Sequence, residues 1–164
     1  MLGRVETPLL IAWHSRTGAS EAMARAAFDG SQGKARLLHC DDVDLGALLE
    51  ARGYLFACPE NLASMSGRMK EMFDRLYYPA LGRIEGRAYA TMIAAGSDGE
   101  GAQRQIDRIA AGWRLRRVAD ALIANLDAQT PEAILAGKSV PAEVLAEARN
   151  MGAAMAEGLA AGIF

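Results

Sequence analysis

The sequence predicts an α/β protein built on a five-stranded parallel sheet with helices on both faces. Three observations carry this expectation. Short apolar runs of strand length recur along the chain, and they are continuous rather than alternating, as strands covered on both faces should be. Stretches with apolar residues at helical spacing lie between them. Strand and helix therefore alternate, which implies right-handed crossovers between parallel neighbours.

In chain order the strand-like runs are Pro8 to Trp13, Ala35 to Leu38, Tyr54 to Ala57, Tyr89 to Ala95 and Val118 to Ala124. A helix after the first run extends to about Phe28 and ends at Gly30. The clearest helix carries Met65, Met69, Met72, Phe73 and Leu76 on one stripe and is expected to stop at Pro79. The last places Val144, Ala148, Met151, Met155 and Leu159 on one face, with Gly162 beyond its end. The small size favours strand order 2-1-3-4-5, whose ligand crevice lies at the carboxyl ends of strands 1 and 3. No linker, composition break or internal repeat divides the chain, so residues 1–164 read as one domain.

A chain of 164 residues with 51% hydrophobic and 23% charged residues excludes disorder as the main state and supports a core without disulfide or metal staples. Cys40 and Cys58 form neither a disulfide framework nor a metal-type pair, which fits a reducing compartment, the cytoplasm. The net charge of -2 lacks the basic excess of phosphate-backbone binders, so nucleic acid is not an expected partner. The Pro8 to Trp13 run is too short for a signal-peptide core or a membrane span, and no later window is long enough.

The strand order directs attention to three loops, beginning near Ser15, Pro59 and Gly96. The first, His14-Ser15-Arg16-Thr17-Gly18-Ala19-Ser20-Glu21, gathers hydroxyls, a glycine and the free amides of a helix start. That combination suits a phosphate: amides and helix dipole attract it, Ser15, Thr17 and Ser20 donate, and Gly18 permits close approach. The plainer reading is a Ser/Thr helix cap.

Here the residues resemble a family. Ser15-x-Thr17-Gly18-x-Ser20-Glu21 is similar to the flavodoxin phosphate loop. Phe56-Ala57-Cys58-Pro59-Glu60-Asn61-Leu62-Ala63-Ser64-Met65-Ser66-Gly67-Arg68-Met69-Lys70-Glu71-Met72-Phe73-Asp74-Arg75 resembles the second flavin loop and following helix of NAD(P)H-dependent FMN reductases. Gly96-Ser97-Asp98-Gly99-Glu100-Gly101 falls where such proteins place a third loop near the ring. The resemblance covers nearly the whole chain and implies a flavodoxin-like three-layer sandwich. It further implies FMN phosphate held by Ser15, Arg16, Thr17, Gly18, Ala19 and Ser20. The rest of the flavin would be flanked by Pro59, Glu60, Asn61, Leu62 and Ser64, with Gly96, Ser97 and Asp98 opposite. Backbone amides of the second and third loops are expected to stabilise charge near N1 and C2=O.

Carrier flavodoxins usually sandwich the ring between aromatics, and neither Glu60 to Ser66 nor Gly96 to Gly101 contains one. An open ring face is where a nicotinamide stacks, so the expected activity is that of an oxidoreductase with NAD(P)H as co-substrate. Hydride would pass to the flavin and electrons on to a quinone, free flavin or similar small acceptor. The alternatives are a non-enzymatic flavodoxin-type electron carrier and a degenerate flavodoxin-like binding domain. Resembling proteins are often homodimers or homotetramers whose second subunit completes the site. Glu60 would set a charge beside reduced flavin, unless it points into solvent; Ser64 and Ser66 would otherwise be ordinary helix caps.

Other residues have competing explanations. His14 ends the first strand, where it either makes a structural hydrogen bond or stabilises reduced flavin. His39-Cys40-Asp41-Asp42 holds metal-ligand types, but neighbours on an extended strand point to opposite faces, so no metal is expected. Arg104, Arg108, Arg114, Arg116 and Arg117 form either a solvated face or a site for the extra phosphate of NADPH. Tyr77 and Tyr78 either pack locally or reach a flavin or a second subunit. No receiver-type acidic pair, Cys-x5-Arg cradle, GxxxxGK[ST] loop or early GxGxxG is present, which excludes phosphorelay, small tyrosine phosphatase, ATPase and Rossmann dehydrogenase chemistries.

Overall fold

A computed structural model describes residues 7–164. Four parallel strands, β1 (Leu9–Trp13), β2 (Ala35–His39), β3 (Gly53–Asn61) and β5 (Ala88–Ala95), are ordered β2-β1-β3-β5. The fifth position is divided between β6 (Arg116–Arg117), paired with the start of β5, and β7 (Leu122–Asn125), paired with its end. The remaining strand, β4 (Ser64–Met65), folds back antiparallel on β3. The expected order 2-1-3-4-5 therefore holds, on a sheet of seven strand segments rather than five.

The fifth run departs from expectation for a reason visible in the register. Arg117 pairs with Tyr89 and Leu122 with Met92, so four residues, 118–121, stand opposite the two between Tyr89 and Met92. The two extra residues form a bulge that interrupts the ladder.

The described residues form six α-helices, α1 (Ala19–Gly30), α2 (Leu45–Glu50), α3 (Gly67–Ala80), α4 (Glu100–Gly112), α5 (Pro131–Leu135) and α6 (Ala142–Ala160), of which all but α5, which buries no residue, pack on the sheet. Leu9, Ile11, Leu55 and Ala57 point towards α1 and α6, whereas Leu10, Ala12, Tyr54, Phe56 and Cys58 point towards α2, α3 and α4. Strands buried on both faces explain their unbroken apolar runs. Met69, Met72, Phe73 and Leu76 of α3 face this second core, where Phe73 meets Phe56 and Trp113 edge-on, whereas Met65, expected on the same helix, lies before it in β4. The helix continues through Pro79 to Ala80: a proline's fixed φ is helical, and so close to the end its missing N–H costs a single hydrogen bond of the last turn before the helix stops. No helix among the described residues is long and apolar enough to cross a membrane.

On the α1/α6 face, β5 presents only Ala88, Ala90, Met92 and Ala94, and α1 adds Ala24 and Ala27. Small side chains let α6 approach so closely that a Cβ on Gly152 would collide with the backbone of Ala27. Gly152→Ala should therefore lower stability by roughly 1–3 kcal/mol, although intrinsic helix propensity alone favours alanine. Denaturant unfolding measures this, and a gain in stability would contradict the close approach.

Candidate functional site

The three loops singled out from the sequence meet at the carboxyl edge of the sheet. The first leaves β1 at His14, whose amide donates to the Ala57 carbonyl at 2.9 Å. It turns through Gly18, at φ 101°, a left-handed conformation that suits glycine. Gly18 offers no side-chain cap to α1, so the first amides of that helix have no intrahelical acceptor. Ser15 Oγ accepts from the Gly18 amide at 3.0 Å, Thr17 is half-buried and Arg16 is exposed. Ser20 is buried, and among the described residues its Oγ is the buried side-chain oxygen without a hydrogen-bond partner. An unsatisfied hydroxyl beside an uncapped helix start is what a bound phosphate would complete. The chain of the α5 region also touches this loop, through the Lys138 amide, which donates to the Thr17 carbonyl at 2.8 Å.

The second loop is a tight hairpin. Asn61 pairs with Ser64 and Glu60 with Met65, leaving Leu62 and Ala63 as the two turn residues. Both have positive φ, 53° and 62°, a combination that two-residue hairpins normally reserve for Asn-Gly. Holding two non-glycine residues there costs about 1–2 kcal/mol each. Leu62 is moreover fully exposed, at 100%. Side chains from α4 support this turn. Gln105 Oε1 accepts from Ser64 Oγ at 2.7 Å and from the Met65 amide at 2.9 Å. Glu60 reaches the other way: Oε1 accepts from the Gly99 amide at 2.9 Å and Oε2 from the Ala102 amide at 3.0 Å. The expected roles of these residues change accordingly. The Glu60 carboxylate neither points into solvent nor stands free beside a flavin; it caps α4. Ser64 and Ser66 are not ordinary side-chain caps of α3, because Ser64 bonds Gln105 and Ser66 Oγ lies 2.7 Å from His14 Nδ1.

The third loop is fixed from two sides. A Cβ on Gly101 would collide with the Ala63 carbonyl, and one on Gly96 would lie 2.6 Å from the Ala128 oxygen. Asn125 Nδ2 donates to the Ser97 carbonyl at 2.8 Å, so the loop after β7 braces this one. With the Gly99 and Ala102 amides committed to Glu60, the amides of Ser97 and Asp98 remain without a partner among the described residues, as does that of Gly101.

His14 makes the structural bond that is one of its two sequence readings. Burial lowers its pKa first, aided by His39, Arg68 and Arg16 and opposed by Asp41. The neighbouring His39-Cys40-Asp41 segment is not the extended strand expected: Cys40–Asp42 forms a 3-10 turn, which brings one potential ligand atom from each of His39, Cys40 and Asp41 within 4.8 Å of one another. Each is engaged otherwise. His39 Nδ1 accepts from the Asp41 amide at 3.0 Å, the Asp41 carboxylate holds Arg68 at 2.5 Å, and burial pushes the Cys40 thiol up to about 12.

Two groups of residues lie away from the site. Arg116 and Arg117 pair with Ala88 and Tyr89 at the opposite end of β5, roughly 20 Å from the third loop. Arg117 is bound to Asp107 at 3.2 Å, so of the basic group only Arg104 lies near the start of α4. Tyr77 and Tyr78 sit at the far end of α3, roughly 15 Å from its start and so away from the three loops, with rings 5.2 Å apart. Sequence reasoning missed Gln105, Asn125 and the Lys138 amide.

The lowered pKa of His14 means that the folded protein binds fewer protons than the unfolded chain just below pH 6.5. This contribution to stability is present above the unfolded pKa and declines as pH falls through 6.5 towards the folded value. Thermal melts between pH 7.5 and 5.5 should therefore show a smaller acid loss for His14→Asn than for the parent. Identical slopes would exclude His14 as a source of the pH dependence.

Comparison with known proteins gives concordant results. The NADPH-dependent FMN reductase family model matches residues 45–129, just over half of the chain, a span that holds the second and third loops. A flavodoxin of Aquifex aeolicus (strain VF5) is 28% identical over 97 residues, covering 57% of this chain and 52% of that protein. The chain thus spans about half the length of the curated relative it matches. A flavodoxin from the domain Archaea superposes with TM-score 0.74 at 18% identity, covering 93% of this chain and 98% of that one. The WrbA-like flavodoxin from Agrobacterium tumefaciens gives TM-score 0.74 at 17% identity, with 93% and 97% covered. A flavone reductase gives 0.68 at 17% identity, covering 93% of this chain and 62% of that one. The fold is flavodoxin-like, and the chain belongs to the NADPH-dependent FMN reductase family.

Proposed function

We propose that this protein binds FMN at the carboxyl edge of its sheet and catalyses NAD(P)H-dependent reduction of a quinone, free flavin or similar small acceptor. The observation that carries the reading is the first loop, where the buried, unpartnered Ser20 hydroxyl stands beside the uncapped start of α1. Ser15, Arg16, Thr17, Gly18, Ala19 and Ser20 would hold the phosphate dianion, with Thr17 and Ser20 hydroxyls donating and the helix dipole adding to the field. Pro59, Glu60, Asn61, Leu62 and Ser64 would flank one side of the flavin through the hairpin, and Gly96, Ser97 and Asp98 the other. The half-buried Asn61 side chain, without a partner among the described residues, is suited to read the polar ring edge, and the free Ser97 and Asp98 amides to face developing negative charge.

FMN, when bound, would supply the two-electron redox chemistry that links NAD(P)H to the acceptor. The chain's own residues bind and orient. Neither ring-flanking loop carries an aromatic, so a nicotinamide or a quinone has a face on which to stack. We place the protein in the cytoplasm, as a homodimer or homotetramer in which a second copy completes the site beside that open face.

Thr17→Ala combined with Ser20→Ala should weaken FMN binding by about 1–3 kcal/mol, read by flavin fluorescence quenching. Unchanged affinity would move the phosphate elsewhere. Steady-state oxidation of NAD(P)H with a quinone should give parallel double-reciprocal lines, because one ring face serves donor and acceptor in turn. Intersecting lines would refute the shared face, and FMN binding without any turnover would identify a carrier instead.

A further inference from the structure

We propose that Gln105 and Glu60 are positioning residues that clamp the Glu60–Met65 hairpin to the first two turns of α4, fixing the edge that meets the flavin before the cofactor arrives. The role assigned to that edge rests on the function proposed above; the clamp itself rests on geometry. The hairpin turn is locally unfavourable on two counts, since Leu62 and Ala63 both adopt positive φ and Leu62 is fully exposed. A two-residue turn of this composition has no local reason to hold its shape, so the restraint comes from outside the hairpin.

That restraint is specific and comes from both directions. Gln105 Oε1, on the second turn of α4, accepts from both Ser64 Oγ and the Met65 amide, so a single atom holds the returning strand. Glu60, on the outgoing strand, accepts from the Gly99 and Ala102 amides and so holds the start of α4 against the hairpin. Between the two, Gly101 lets the Ala63 carbonyl lie directly on the helix, a contact that a Cβ would forbid. The second and third loops, which would flank opposite sides of a flavin, are thereby joined into one rigid unit. A ring-binding edge that is ordered beforehand loses less conformational entropy when a ligand binds.

Gln105 is the discriminating position, because it donates nothing to the hairpin and its carbonyl oxygen alone makes both bonds. Gln105→Glu keeps that acceptor, whereas Gln105→Leu fills the space without one. Amide hydrogen exchange on the cofactor-free protein, followed by FMN titration of the same samples, separates the two roles. Gln105→Leu should accelerate exchange at Ser64 and Met65 at least tenfold and raise the FMN dissociation constant about tenfold. Gln105→Glu should stay near the parent in both measurements. Unchanged exchange in Gln105→Leu overturns the clamp. Faster exchange with unchanged FMN affinity overturns the positioning role. Failure of the parent protein to bind FMN overturns the proposed function, and the positioning role with it, while exchange still reports on the clamp.

Discussion

At the carboxyl edge of the sheet the Glu60 carboxylate accepts from two amides at the start of α4, and the geometry of the site depends on that pairing. The first amides of any helix lack intrahelical acceptors, and a buried start must find them elsewhere. Here they come from a residue about forty positions earlier in the chain, on the outgoing arm of a hairpin. Each charge-assisted bond of this kind makes a net contribution of roughly 1.5–3 kcal/mol. The same carboxylate therefore fixes a helix, a loop and the relation between two loops.

The contrast with α1 is instructive. Both helices begin at the same edge, both follow a glycine of positive φ, and neither receives a side-chain cap from its own N-cap residue. Glu60 closes the start of α4, so its dipole is already complemented by a negative charge. The start of α1 has the unpartnered Ser20 hydroxyl beside it. Of these two starts, α1 is the one left with an unpartnered hydroxyl beside it, and under the proposed function this asymmetry would direct the phosphate of FMN to the first loop and its ring to the hairpin.

Much of this was legible in the sequence, for physical reasons that also mark the limits. Strands buried on both faces leave continuous apolar runs, and helices against a sheet leave stripes, so β1, β3, β5, α3 and α6 could be read directly. The bulge at residues 118–121 could not, because it is a matter of register against β5. Nor could the 3-10 turn at Cys40–Asp42, whose residue types do not distinguish it from a continuing strand. The loops that bear the site were found because glycines and hydroxyls fall just after strand ends. What each side chain does within them was not, since Glu60, Ser64, Ser66 and Gln105 find partners 39 to 52 positions away. Arg116 and Arg117 were near the third loop in sequence only; the direction of β5 carries them to the far end.

The account turns on the first loop being a phosphate cradle, and the affinity difference between FMN and riboflavin measures that most directly. The two ligands share the ring and the ribityl chain and differ in the phosphate alone. Calorimetric titration at moderate salt should give FMN binding at least about a hundredfold tighter than riboflavin, roughly 2.7 kcal/mol, since two or more charge-assisted bonds are lost with the phosphate. Equal affinities, or binding of neither, would contradict the assignment of Ser15 to Ser20 as the anion site.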